Sequence, residues 1–493
     1  MVVGEMVQEV DLVVLGAGPG GYTAALRAAE LGIKTLLVDA QAKPGGVCLH
    51  MGCIPSKALL HSAEVMTEAR HAEKIGIKFG KPEIDLAALK TWKAGVIDKL
   101  ASGIVGMCKS AGVDILHGKA TFNDSRSLRV DCPGESAVRV KFKHCILATG
   151  SSPTKLDKLF ENAEAMQSDR VLDSTSALAL NDIPEQLLVL GGGYIGLELG
   201  TVYASLGSKV TVIEMTDGLL PGADRDLVKP LATRLGETFA AIHLNTRVTG
   251  IKVTNDGIEA MIEANAGSDK KDLPASLKFD KVLVAVGRRP NSTGIGLENT
   301  QVEIDQHGFV VIDDQCKTAD KRILAIGDVS GQPMLAHRAI RQGFVAAEVI
   351  AGLDSHFDNR VVPAVVFTQP EIAWAGLTET EAKAKDIKVQ AAKFPWSASG
   401  RAMTIADTNG TTKVLYDPES GAVLGVGIAG PRAGDLISEA VVAIEMGAHL
   451  DDLALSIHPH PTLSETINEA ALTGLARMER NRNSKAADKQ ASH

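Results

Sequence analysis

The chain reads as an α/β protein with two related βαβ units, followed by a separate α+β domain. Three observations predict this. A glycine-marked segment occurs twice, short apolar strands ending in glycine punctuate the chain as far as "RILAIGDV" (322–329), and beyond about residue 355 the pattern changes to β-runs followed by helical stretches. At 493 residues the chain is too long for one hydrophobic core, and domains of roughly 100–200 residues make three or four of them the expectation.

The repeat carries most of the information. "DLVVLGAGPGGYTAALRAAELGIKTLLVDA" (11–40) and "QLLVLGGGYIGLELGTVYASLGSKVTVIEM" (186–215) align without a gap at an offset of 175 residues. Gly16, Gly18 and Gly21 match Gly191, Gly193 and Gly196, and Asp39 matches Glu214. Each copy reads as a strand, a glycine turn, an alanine- and leucine-rich helix, and a second strand ending in a carboxylate. In such a Rossmann-like unit the first glycine allows the tight turn, the second admits a pyrophosphate, and the third lets helix and strand pack closely. The pyrophosphate lies on the positive end of the helix. Two dinucleotides, or one dinucleotide and one flavin dinucleotide, are implied. Glu214 suits ribose hydroxyls, and "EMTDGLLPGAD" (214–224) has no Arg or Lys to neutralise a 2′-phosphate, which favours NAD over NADP.

The strands "HCILATGS" (144–151), "KVLVAVGRRPN" (281–291) and "RILAIGDV" (322–329) each stop at glycine and set boundaries near 150, 285 and 355. "VVPAVVFTQPEIAWAGLTETEAKA" (361–384) opens the last domain, and the polar stretch 481–493 is expected to be a flexible tail.

Composition is that of a soluble globular protein, with 45% hydrophobic and 23% charged residues. A net charge of -9 argues against nucleic acid as partner. No apolar run approaches the roughly 20 residues of a membrane span, so a cytoplasmic location is expected.

Six cysteines are too few for a disulfide scaffold, yet "GGVCLHMGCIPSKALL" (45–60) sets Cys48 close to Cys53. Pro55 suits the first turn of a helix, so both thiols are expected at a helix N-terminus, where thiolates are favoured. Zinc wants more ligands than the nearby His50 provides, and so small a loop gains little from a structural disulfide. A redox pair is the leading reading, its short spacing allowing closure without large backbone movement. "SIHPHPTLSETINEA" (456–470) offers His458 and His460 as bases, with Glu465 placed for a capping box with Thr462 and for orienting an imidazole. From the residues alone either histidine would serve.

Together "GAGPGG", "GGVCLHMGCIPSK", "ATGS", "GGGYIGLELG", "AVGRRPN", "AIGDV" and "HPHPTLSE" closely resemble the class I pyridine nucleotide-disulfide oxidoreductases, in the family's order and over nearly the whole chain. The set is most similar to members that oxidise dihydrolipoamide on lipoyl domains and reduce NAD+. The resemblance implies FAD on Gly16, Gly18, Gly21 and Asp39, where the family usually has the longer glutamate. Asp328 would meet the ribityl side, with Thr149, Gly150 and Gly287 also at the cofactors. NAD would lie on Gly191, Gly193, Gly196 and Glu214, with Tyr194 over the nicotinamide pocket.

By the same resemblance Cys48 exchanges with substrate, Cys53 faces the flavin as a charge-transfer thiolate, and Lys57 lies beside the flavin paired with Glu198. His460 would be the base, Glu465 its partner, and the pair would reach the other subunit's cysteines in a homodimer. Residues 1–150 and 286–355 would form the FAD domain, 151–285 the NAD domain and 356–480 the interface. A further implied partner is the acyltransferase core of a 2-oxo acid dehydrogenase complex. Two rivals within the family fare worse, since a glutathione reductase would carry basic residues after the second fingerprint and a mercuric reductase a C-terminal cysteine pair. A flavoprotein acting only as a structural subunit is the reading from another class.

Overall fold

The strand Met6–Leu15 runs through the middle of a seven-stranded sheet, parallel to Thr35–Asp39 on one side and Val138–Leu147 on the other. The computed structural model describes residues 6–265 and 274–491. Leu12 and Val14 enter one core and Val13 and Leu15 another, because a parallel sheet is covered on both faces and its strands are apolar throughout. Helix Pro19–Glu30 follows the first glycine turn and lies on helix Ala336–Ile350. Small residues allow this approach: a Cβ on Gly20 would stand 2.8 Å from the Ala339 carbonyl oxygen, and one on Gly343 would stand 2.6 Å from that of Gly20. The late strand Ile323–Ala325 pairs in parallel with residues 145–147, so the chain returns to the sheet it left at Leu147.

Between departure and return lies a five-stranded parallel sheet centred on Gln186–Leu190, with Lys209–Ile213 and Lys281–Val284 beside it. An antiparallel layer of Thr246–Thr254, Gly257–Ala264 and Ser276–Phe279 shares a core with it. The two crossings between the large sheets run side by side as the short antiparallel pair Ser151–Pro153 and Arg288–Pro290.

The last part of the chain is a five-stranded antiparallel sheet covered by helices Ala433–Glu445 and Glu465–Ala491, around Trp396, Tyr416, Ile428 and Ile467. Its buried Lys413 reaches back to Asp224 at 2.6 Å and Asp226 at 2.7 Å, tying this sheet to the second one. The last helix runs on through the stretch from 481 to Ala491, and the final two residues lie outside the described ones. Among the described residues no helix is long and apolar enough to cross a membrane.

All three parts meet on the helix Cys53–His71. Its Leu59 and Leu60 share one core with Leu187, Leu197 and Leu199 of the second unit and with Val366 and Ile372 of the last.

Candidate active site

A cavity of about 510 Å3 runs from the first glycine turn and Asp39, past Thr149 and Gly150, to Cys53, Lys57 and Asp328. Its walls come from strand ends and helix starts on the first sheet, closed by Tyr194 and Glu198 from the second.

The two glycine turns are built alike. Gly16 and Gly191 have φ of 105° and 101°, and a Cβ there would meet the Ala148 oxygen at 2.2 Å or the Ala285 oxygen at 2.6 Å. A Cβ on Gly21 would fall 1.8 Å from the Gly16 oxygen, and one on Gly196 would fall 2.4 Å from the Gly191 oxygen. At Gly18 and Gly193, by contrast, a Cβ would meet nothing within 4 Å. Both glycines stand at the N-cap of a helix with no side-chain cap and no acidic residue in its first turn. Each helix therefore presents free N–H groups and its positive end to open space, which fits a pyrophosphate.

The carboxylates repeat as well. Asp39 accepts from the backbone N–H of Ala17 at 2.5 Å and of Gln41 at 2.7 Å. Glu214 accepts from Gly192 at 2.6 Å and Thr216 at 2.8 Å. Each side chain thus braces its own glycine turn and keeps lone pairs for ribose hydroxyls. Arg225, the first cation beyond Glu214, donates to the carbonyls of Leu219, Leu220 and Ala223 at 2.7, 2.7 and 2.6 Å and is not offered to a phosphate.

The cysteines occupy two helices. Cys48 lies inside the short helix Gly46–Met51, and Cys53 opens the next one. Gly52 makes the break, where a Cβ would lie 2.9 Å from the Val47 oxygen. Both thiols are free, Cys48 half-buried and Cys53 open to the cavity. They do not share the lowered thiol pKa expected for both from a helix start. The neighbouring Cys48 thiol, with help from Lys57 and against burial, brings Cys53 down from 9.0 to about 7. The same contact and burial push Cys48 far above the usual thiol range. A proton shared by two sulfurs can lower only one of them. His50, between the cysteines, turns away to the Pro44 carbonyl at 3.0 Å.

Lys57 Nζ sits 2.8 Å from Glu198 Oε2 and 4.4 Å over the Phe367 ring. The buried Glu198 also accepts from the Phe367 N–H at 3.0 Å. A cation in an early helical turn is thus held by a carboxylate 141 residues away in sequence. Asp328 lies in a tight turn at Gly327–Ser330, where it accepts from Ser151 Oγ at 2.5 Å, while Arg288 Nε donates to the same hydroxyl at 2.7 Å. Ser151, Arg288 and the buried Gln342, which accepts from the Gly327 N–H at 2.8 Å, were not singled out from sequence. Ser151 and Arg288 lie inside the quoted "ATGS" and "AVGRRPN" strands, whereas nothing local marks Gln342. Thr149 lines the cavity, but its hydroxyl donates to the Asn291 carbonyl at 2.8 Å. Gly287 lies off the cavity, accepting from the Thr154 N–H at 3.0 Å. Tyr194 lines it, and burial raises its phenol to about 12.

In the last domain, Glu465 takes two partners at once: His460 Nδ1 at 2.8 Å and the Thr462 N–H at 2.7 Å. The expected capping box is half formed. The helix opens at Glu465, three residues later than Thr462, and the Thr462 hydroxyl donates to the Pro459 carbonyl at 2.8 Å. The structure separates the two histidines. His458 is nearly enclosed and has partners on both nitrogens, whereas His460 is exposed and, among the described residues, has no partner at Nε2.

The comparisons with known proteins agree with this geometry. The family model "Pyridine nucleotide-disulphide oxidoreductase" matches residues 10–343, and the model of that family's dimerisation domain matches residues 362–471. The dihydrolipoyl dehydrogenase of Vibrio parahaemolyticus is 46% identical over 94% of both chains. That of Geobacillus stearothermophilus is 44% identical over 96% of this chain and 98% of its own. Among solved structures, LpdA of Mycobacterium tuberculosis superposes with a TM-score of 0.83 at 27% identity, over 94% of this chain and 99% of its own. A cysteine-to-serine mutant of the HOCl-induced flavoprotein disulfide reductase RclA of Escherichia coli, in a Cu(II) complex, gives 0.83 at 26% identity over the same shares. With two dinucleotide turns, a dithiol at a cavity's end and a dimerisation domain, the chain belongs to the pyridine nucleotide-disulphide oxidoreductase family.

Proposed function

We propose that this protein is a dihydrolipoyl dehydrogenase that uses FAD and NAD+. The observation that carries this is the free cysteine pair at the end of the cavity with Lys57 held there by Glu198, joined to a His–Glu pair with one open nitrogen. FAD fits the long cavity on Gly16, Gly18, Gly21, Asp39 and Asp328, and NAD+ fits the turn of Gly191, Gly193, Gly196 and Glu214.

Glu465 pins Nδ1–H of His460, so the Nε2 lone pair is the one that takes a proton from a dihydrolipoamide thiol. The thiolate attacks Cys48 in the disulfide form; the S–S bond breaks and Cys53 leaves. Cys53 leaves as a thiolate, which the charge of Lys57 favours. The second substrate sulfur displaces Cys48 and closes the lipoyl disulfide. Of the two substrate protons, one ends on Cys48 and one on His460, and two electrons end on the cysteine pair. Lys57, anchored by Glu198, balances the Cys53 thiolate. FAD held by the residues of this cavity would supply a two-electron acceptor for the dithiol and a hydride donor for NAD+.

A second copy completes the reading. Val442 and Met446, at the end of helix Ala433–Glu445, are exposed together with Leu455 and Ile457 beside His458, Ile457 at 99%. Apolar surface this open is what a homodimer covers, and His460 would then serve the partner subunit's cysteines. Lipoyl domains on the acyltransferase core of a 2-oxo acid dehydrogenase complex would bring the substrate. A working dithiol suits a reducing compartment such as the cytoplasm.

The test is lipoamide-dependent NAD+ reduction by the flavin-loaded protein. Cys48→Ser should abolish it, and His460→Ala should lower it by roughly 10²- to 10⁴-fold. Full activity in both variants would overturn the assignment.

A further inference from the structure

The loop that follows Glu214 holds a strained residue against the second glycine turn. Residues 215–224 fold back on Gly192: the Leu220 N–H donates to the Gly192 carbonyl at 2.9 Å, and a Cβ on Gly192 would stand 2.7 Å from Leu219 Cδ2. Glu214 holds the other side of the same glycine, accepting from its N–H at 2.6 Å. Leu220 has a φ of 51°, a left-handed conformation that a leucine keeps only where its surroundings impose it.

Two clamps impose it. The near one is Arg225, whose guanidinium takes the carbonyls of Leu219, Leu220 and Ala223. The far one comes from the dimerisation domain. Asp224, which ends the loop, is 4% exposed and accepts from Lys413 Nζ at 2.6 Å and from the N–H groups of Glu379 and Thr380 at 3.1 and 3.3 Å. Lys413 lies in the strand Thr411–Tyr416, is 1% exposed, and also reaches Asp226 at 2.7 Å and Glu379 at 3.6 Å. A carboxylate this enclosed needs a fixed cation beside it, and Lys413 supplies the charge. The helix Arg225–Thr238 is seated just as closely, since a Cβ on Gly427 of the dimerisation sheet would stand 2.3 Å from Leu227 Cδ1.

We propose that Lys413, acting through Asp224, holds the loop 215–224 in the form that binds NAD+, so that the domain carrying His460 also sets the grip on the dinucleotide. Lys413 acts through the loop, which makes it a positioning residue. Without it the loop relaxes at Leu220, and only the molecules that still have the loop in place bind NAD+ tightly. The inference rests on NAD+ lying on the turn Gly191–Gly196, and not on the identity of the thiol substrate.

The test is the dissociation constant of NAD+, measured by titration calorimetry on the flavin-loaded protein, with retained flavin absorbance as the check on folding. In Lys413→Met the constant should rise about three- to tenfold, as the competent fraction falls to about a third to a tenth. At saturating NAD+, kcat and the KM for dihydrolipoamide should stay within about twofold of the parent. A merely structural tie would lower the urea midpoint and leave the NAD+ constant alone, and that result overturns the inference. Lys413→Met with Asp224→Asn removes both charges and leaves neither buried alone; it should show the same rise, and it decides the matter if the single variant does not hold flavin. Loss of flavin from both variants would make the pair a folding contact and overturn the proposal as well. Gly196→Ala separates the claims: an unchanged NAD+ constant there removes NAD+ from this turn, whereas a raised one beside parent values in the Lys413 variants removes only the clamp.

Discussion

Removing the thiol of Cys48 should return a proton to Cys53. In the dithiol the Cys48 S–H is the first cause that brings Cys53 from 9.0 to about 7, with Lys57 assisting and burial opposing. A hydrogen bond to a charged acceptor is worth about 1.5–3 kcal/mol, which equals about one to two pH units. A thiol S–H is a weak donor, which selects the lower figure. Cys48→Ala should therefore move the Cys53 titration up by about one pH unit, while Cys48→Ser, whose hydroxyl still donates, should move it less. The assay is the rate of iodoacetamide alkylation across the neutral range, since only the thiolate reacts. The thiolate fraction falls tenfold for each pH unit below the midpoint, so at neutral pH the Ala variant should react about five times more slowly than a thiol titrating near 7. An Ala variant that still titrates near 7 would refute the reasoning and assign the lowering to the helix start and Lys57.

Lys57→Met leaves the buried Glu198 with only the Phe367 N–H; unfolding in urea should show a loss of about 2 kcal/mol, and Lys57→Met with Glu198→Gln should recover part of it. The glycine turns should fail separately. Gly21→Ala drives a Cβ to 1.8 Å from the Gly16 oxygen and Gly196→Ala to 2.4 Å from the Gly191 oxygen, so the first should purify without flavin absorbance. The second should keep its colour but raise the KM for NAD+ by about tenfold or more. Glu371 accepts from the Gly434 N–H at 2.8 Å, yet burial raises its carboxyl from 4.5 to about 7. Its folded pKa exceeds the unfolded value, so its contribution to stability is complete below about 4.5 and is lost as pH rises through about 7. Glu371→Gln should flatten that fall in urea midpoints measured across the window; an unchanged slope would count against it.

What the sequence by itself determined is the local geometry. Gly16, Gly21, Gly191 and Gly196 were legible because a tight turn and a close helix–strand approach are demanded within a few residues, and the following carboxylates keep a fixed spacing. The resemblance supplied the Lys57–Glu198 pairing and the preference for His460, neither of which local pattern contains. Only the tertiary structure decided which cysteine is the more acidic, because that depends on how the fold sets the other thiol and Lys57 around each. It also decided that the last helix opens at Glu465 and not at Thr462, and that His458, in the loop before it, meets Glu439. Gln342 and Ser151 gained their roles around Asp328 only when residues 323–325 returned to the first sheet. Short-range sterics are written in neighbouring residues; the charge on a side chain is set by whatever the fold brings against it.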